Sequence, residues 1–281
     1  MRTTLANISV LLISSFFMLI GTGLLSTLIP LQADLATFSS IEVGVIGAAQ
    51  FTGFAVGCLI CPLVVRRSGH IRAFAAFCAI AACATLIMPM LINPVVWSIL
   101  RAINGICMAG LFMVIESWLN ERATNETRGQ ILSIYMITNY LGSGMGQFMV
   151  SVADPGKFQL FVVASIVFSL ALVPVLLTRA SAPKPVTPQR MKFRDLYGIS
   201  PLAVIGTISA GMVNSSINSM GPIFAKDSGL SLLGVSTFMA CIIMGGMVLQ
   251  FPIGRLSDRY DRRTILLIVT VTTVAAALAV I

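Results

Sequence analysis

Nine apolar runs, most of about twenty residues, divide the chain: roughly 8 to 30, 43 to 65, 73 to 92, 95 to 117, 130 to 152, 158 to 178, 199 to 221, 232 to 254, and 264 to the end. About 20 apolar residues in helical form span a hydrocarbon layer of ~30 Å, and a helix satisfies its own backbone hydrogen bonds there. The pattern predicts an all-α polytopic membrane protein. The first run is too long for a cleaved leader and opens into further spans, so it reads as a retained helix. One extended polar segment interrupts the series, Arg179 to Ser200, with Pro183, Pro185, Pro188 and five basic residues. It separates a six-helix half (1–178) from a second half (199–281) through a basic linker (179–198).

Composition agrees, since 57% of the residues are hydrophobic and 10% charged, whereas charged groups make up about a quarter of a soluble domain. The basic residues sort by side. Arg2, Arg66, Arg67, Arg72, Arg122, Arg128, the linker residues, Arg255, Arg259, Arg262 and Arg263 fall on one face of the layer, with Lys157 and Lys226 on the other. Short loops rich in Lys and Arg stay in the cytoplasm, which places the N-terminus inside. The net charge of +8 then reports topology and contact with anionic lipid headgroups, and no nucleic-acid partner is expected. All six cysteines lie in apolar runs, where a Cys behaves as a small hydrophobe and no disulfide is expected. Cys58 and Cys61 have Cys-x-x-Cys spacing without a second pair, and His70 is the one histidine. With no Gly-rich Lys-Ser/Thr phosphate loop and no metal-spaced ligands, neither cofactor nor metal is expected, and the chain does not read as an enzyme.

Between the last two runs stands a charged hairpin, Gly254, Arg255, Leu256, Ser257, Asp258, Arg259, Tyr260, Asp261, Arg262, Arg263. It resembles the Gly-x-Leu-x-Asp-Arg-x-x-Arg-Arg loop of the major facilitator superfamily of secondary transporters, with Asp261 where that family usually has Gly. A degenerate copy follows the second run, with Cys61 in the Gly place, Val65 in the Asp place, and Arg66, Arg67, Gly69 and Arg72 retained. The run from Arg101 to Gly105 is similar to the family's Arg-x-x-Gln-Gly element, with Asn104 for Gln. The halves also repeat: Pro30 ends run one and Arg66 opens its loop (66 − 30 = 36), while Pro222 ends run seven and Arg259 opens its loop (259 − 222 = 37). The resemblance implies the superfamily's fold, an N-terminal six-helix bundle plus a partial C-terminal bundle, with about nine of twelve helices and the chain truncated in the ninth. It further implies alternating access for a small-molecule substrate, driven by a solute, proton or ion gradient. The setting is a bacterial inner membrane, and the full-length protein would be a monomer. Efflux and uptake both stay open, because the Gly142, Gly144, Gly146 run lacks the family's Gly-Pro antiporter signature. A carrier fold without transport, acting as sensor, scaffold or truncated remnant, is the alternative, and Val65 and the position of Ile281 favour it.

Arg101 lies deep in run four, where a charge costs at least ~2.5–3.5 kcal/mol and so turns inward or to water. The resemblance implies that it anchors an anionic substrate group or takes part in proton coupling; an Arg that bonds helix carbonyls or snorkels is the structural alternative. Asn104, Gln50, Asn139, Gln147, Asn214 and Asn218 are further cavity candidates, several of them at i, i+4 steps that share a helix face. Glu116 is expected to be neutralised by Arg66, Arg72 or Arg128. The family resemblance gives the Gly254 loop a conformational role: Asp258 would meet the positive end of run five near Arg128 and close the cytoplasmic side, with Arg259, Arg262 and Arg263 around it. No Asp or Glu occupies the middle of runs one, two, five or seven.

Overall fold

A computed structural model describes residues 2–124, 127–178 and 193–278, with the side chains of 2–7, 193, 196, 251, 257, 258 and 262 excepted. Most of the expected linker (179–192) lies outside the described residues. Among the described residues ten α-helices account for nearly all of the regular structure: α1 (Arg2–Leu35), α2 (Ser40–Ser68), α3 (His70–Ile87), α4 (Pro94–Arg122), α5 (Arg128–Met149), α6 (Gln159–Leu177), α7 (Phe193–Ile199), α8 (Pro201–Asp227), α9 (Leu232–Arg259) and α10 (Arg262–Leu278). Nine of them follow the apolar runs, and the short α7 is the addition. By length and composition α1, α2, α3, α4, α6 and α9 can each cross a membrane. The amides of α5 (Asn139, Gln147) and α8 (Asn214, Asn218) make those two helices more polar, and α10 is shorter.

Helix starts follow local chemistry. Ser39 and Glu42 form a reciprocal capping box on α2, Asn93 accepts from Val95 and Val96 at the start of α4, and Ser200 and Ser231 cap α8 and α9. Such side chains occupy backbone N–H groups that have no partner in the first turn.

The helices overrun the expected boundaries at two kinds of place. Pro30 and Pro222 do not end their helices but lie inside α1 and α8, which continue to Leu35 and Asp227. In lipid an interrupted helix is still the best way to satisfy the chain, so proline is tolerated there. Gly254 to Arg259, expected as a loop, forms the last turns of α9, and the turn itself is confined to Tyr260 and Asp261. Arginines suit the negative end of a helix, which therefore extends past its apolar stretch.

In the first half α2 packs on α4, α1 on α5, α3 on α6, α1 on α6, and α3 on α4. Exchanging α1 with α4, α2 with α5 and α3 with α6 maps this pairing onto itself, as a three-plus-three repeat requires. Both principal pairs meet through glycine. A Cβ on Gly53 would strike the Ala102 backbone, and one on Gly105 the Gln50 backbone; Gly23 meets Ser143, and Gly146 meets Ile20, in the same way. Small residues let membrane helices approach this closely. We expect Gly105→Val to part α2 from α4 at a cost of about 1–3 kcal/mol, read as a lower melting temperature in detergent; an unchanged melt would contradict the contact.

One corner of this half is fastened by an aromatic group. The Trp97 indole N–H donates to the carbonyls of Met88 (2.9 Å) and Leu91 (3.0 Å). Its ring meets Phe38 and Phe161 edge-on at 5.3 and 6.2 Å, joining the α1–α2 and α3–α4 turns to α6. The two halves touch where α1 and α2 face α8 and where α5 faces α9.

Candidate functional site

Two adjoining cavities lie where the halves meet. The first, about 220 Å³, is walled by α1, α2, α4 and α8 and carries Gln50, Arg101 and Ser219. The second, about 500 Å³, lies between α1, α5, α8 and α9 and carries Asn139, Ser143, Gln147 and Asn214. Thr22, Ser26 and Asn218 border both. A third space of about 650 Å³ continues from Met136 and Tyr140 between α5 and α9 to Gly254 and Arg255.

The two ends of the assembly differ. Toward the end carrying Arg66, Arg72 and Arg128, the third space lies between Leu132 and Ser133 of α5 and Gly254 and Arg255 of α9. At the opposite end the halves are joined. Lys226 of α8 pairs with Asp34 of α1, and Gly47 of α2 lies so close to Ser219 that a Cβ would collide with its hydroxyl.

A profile of the Major Facilitator Superfamily matches residues 11–281. The chain belongs to that superfamily. It is 28% identical over 291 residues to the MFS-type transporter YcaD of Escherichia coli, across all of this chain and 74% of that protein. Its fold is similar to that of a bacterial homologue of the human lysosomal transporter Spinster, crystallised inward-facing and unoccupied, with TM-score 0.76 and 14% identity over 92% of this chain and 64% of the other. It is likewise similar to the D-xylose–proton symporter, with TM-score 0.63 and 16% identity over 91% and 69% of the two chains.

Within this superfamily member the expected polar residues divide by role. Gln50 and Arg101 face each other's cavity wall on α2 and α4, and both have buried side-chain atoms without partners, Gln50 Oε1 and Arg101 Nε. Asn139 accepts from Ser15 Oγ at 2.8 Å. Gln147, fully buried, donates to Ser26 Oγ at 2.9 Å and accepts from Thr27 Oγ1. These two amides therefore fasten α5 to α1 as well as border the cavity. Asn218 donates back to the Asn214 carbonyl at 2.8 Å. Asn104 is buried and borders neither cavity, because Gly105 beside it draws α2 onto that turn of α4.

The expected neutralisation of Glu116 by arginine is corrected. Among the described residues no ion pair joins Glu116 to Arg66, Arg72 or Arg128. Glu116 instead accepts from Tyr135 Oη at 3.4 Å, and Arg128 donates to Asn120 Oδ1 at 2.9 Å. α4 runs on to Arg122, so the start of α5 sits beside Asn120, one turn beyond Glu116. Arg66 and Arg72 are exposed near the α2–α3 turn, as are Gly254, Arg259 and Arg263 near the α9–α10 turn. The side chains of Asp258 and Arg262 are outside those described.

Sequence reasoning missed Asp34, Lys226, Ser26 and Ser219. The signal was present. Asp34 and Lys226 each stand four residues past a proline of the repeat, and Ser26 and Asn218 four residues before one.

Proposed function

We propose that this chain is a carrier that moves a small solute across the bacterial inner membrane by alternating access, driven by a solute, proton or ion gradient. In this reading the arginine-bearing end and the N-terminus are cytoplasmic, and the structure corresponds to an inward-open state. The observation that carries it is the pairing of a closed end at Asp34–Lys226 with an opposite end where α5 and α9 part around an open space leading to a polar cavity. A site shared by two bundles can be exposed to each side in turn when one rocks on the other. Asp258 near the end of α9 would meet the start of α5 around Arg128 in the outward-open state, since a helix N-terminus attracts a carboxylate.

The test is distance measurement by electron spin resonance between labels at Ser133 on α5 and Gln250 on α9, two residues that border the open space, in a background with the native cysteines replaced. Two distance populations that interconvert under a solute gradient are expected, with Asp258→Asn enriching the longer one, together with saturable solute flux in proteoliposomes. A single distance under every gradient, with no saturable flux, would leave the sensor or scaffold reading.

A further inference from the structure

The smaller cavity has an unusual balance of unmet polar groups. Arg101 stands seven residues into α4, about 10 Å below its start, and is the one charged residue on the cavity wall. Its Nε is buried without an acceptor. No Asp or Glu borders this cavity or the larger one, and neither ion pair among the described residues involves Arg101. A positive charge at this depth is costly unless a counter-charge or water reaches it, and the described residues supply no counter-charge.

Acceptors border the same space, one of them unmet. Gln50 Oε1 is buried without a donor. Pro30 and Pro222 have no N–H, so the carbonyls of Ser26 and Asn218, four residues earlier, lose their usual helical donors, and both residues border the cavity. Thr22 and Ser219 add hydroxyls, and most of the remaining wall is apolar, with Phe51, Phe54, Phe112 and Met108 among its members. A single positive charge, an unmet acceptor and aromatic side chains define a complementary guest.

We propose that this cavity binds an organic monoanion that has an apolar body and also carries an O–H or N–H donor, such as an aryl hydroxy acid. The proposal rests on the carrier reading above and adds the chemical class of the solute. The carboxylate occupies Arg101, and the hydroxyl or amine donates to Gln50 Oε1. Size agrees, because a dry cavity of about 150 Å³ accepts the six carbons of benzene, so 220 Å³ suits about nine non-hydrogen atoms, and the adjoining cavity has room for a further polar group.

Four probes that share a phenyl ring and two further carbons separate the requirements: mandelate has charge and hydroxyl, phenylacetate charge alone, 1-phenylethane-1,2-diol hydroxyls alone, and phenylethylammonium the opposite charge. Binding to the purified chain in nanodiscs is measured by calorimetry. Mandelate is expected to bind at least tenfold more tightly than phenylacetate, with the diol and the cation weaker still. Gln50→Leu should lower mandelate to the level of phenylacetate and leave phenylacetate unchanged. Arg101→Gln should remove the preference for anions, and Arg101→Lys should restore it in part. Equal or tighter binding of the diol or the cation, an anion preference that survives Arg101→Gln, or no binding of any probe at millimolar concentration would overturn the proposal. The carrier reading is decided separately by the two-distance measurement, which needs no particular solute.

Discussion

Arg101→Met is expected to weaken solute uptake about ten- to hundredfold while raising the melting temperature of the protein. A hydrogen bond to a charged group contributes about 1.5–3 kcal/mol, which sets the loss of affinity. Stability moves the other way, because the substitution keeps most of the side-chain volume and removes a charge that costs at least ~2.5 kcal/mol in the hydrocarbon. Gly105 holds α2 and α4 together one turn away through a backbone contact that the substitution does not touch. Uptake in proteoliposomes and thermal unfolding in detergent would be measured on the same preparation. A variant that loses uptake and also melts earlier would show that Arg101 is a packing residue whose donors serve the helix bundle.

Lys226→Glu is expected to open the end at which α1 and α8 are clasped, shifting the distribution away from the state described here. The pair is partly solvated, with side chains 40% and 32% exposed, so losing it alone is worth ~0.2–1 kcal/mol, a one- to fivefold change in population. Placing two carboxylates together adds repulsion of similar size and makes the reversal the stronger variant. The exchanged pair, Asp34→Lys with Lys226→Asp, should return the distribution toward that of the original chain. Salt should blunt all of these differences, since exposed charges are screened. Spin labels flanking the α1–α2 and α8–α9 turns would read the outcome, and a reversal that leaves their distances unchanged would remove the clasp from the conformational balance.

How far such features can be read in advance depends on whether the cause is local. The membrane spans were legible because each needs only length and apolarity, and the superfamily was legible in Asp258, Arg259 and their neighbours and in the repeat around Pro30 and Pro222. Helix ends were less so. Polar residues from Gly254 to Arg259 suggested a loop, yet a helix leaving the hydrocarbon continues wherever water and its own hydrogen bonds suffice. The placement of Gln50 beside Arg101 depends on α2 meeting α4 across some fifty residues of chain. Gly53 and Gly57 display the small-xxx-small spacing of a close contact, but the spacing does not name the partner helix. Glu116 shows the same limit from the other side: the nearest arginines in sequence were plausible partners, and the partner found, Tyr135, came from the face that α5 turns toward α4. Asn139 and Gln147 stand out in the sequence by their polarity, whereas their hydrogen bonds to α1 follow from the pairing of α1 with α5.

The fastening of Trp97 into its corner has a practical corollary. Both tryptophans of the chain, Trp97 and Trp118, belong to α4 and are almost completely buried. Indole fluorescence, excited apart from tyrosine, is therefore a private reporter of the first half. A denaturation curve followed by indole emission and one followed by helical circular dichroism would superimpose if the halves melt together, and separate if the first half outlasts the second.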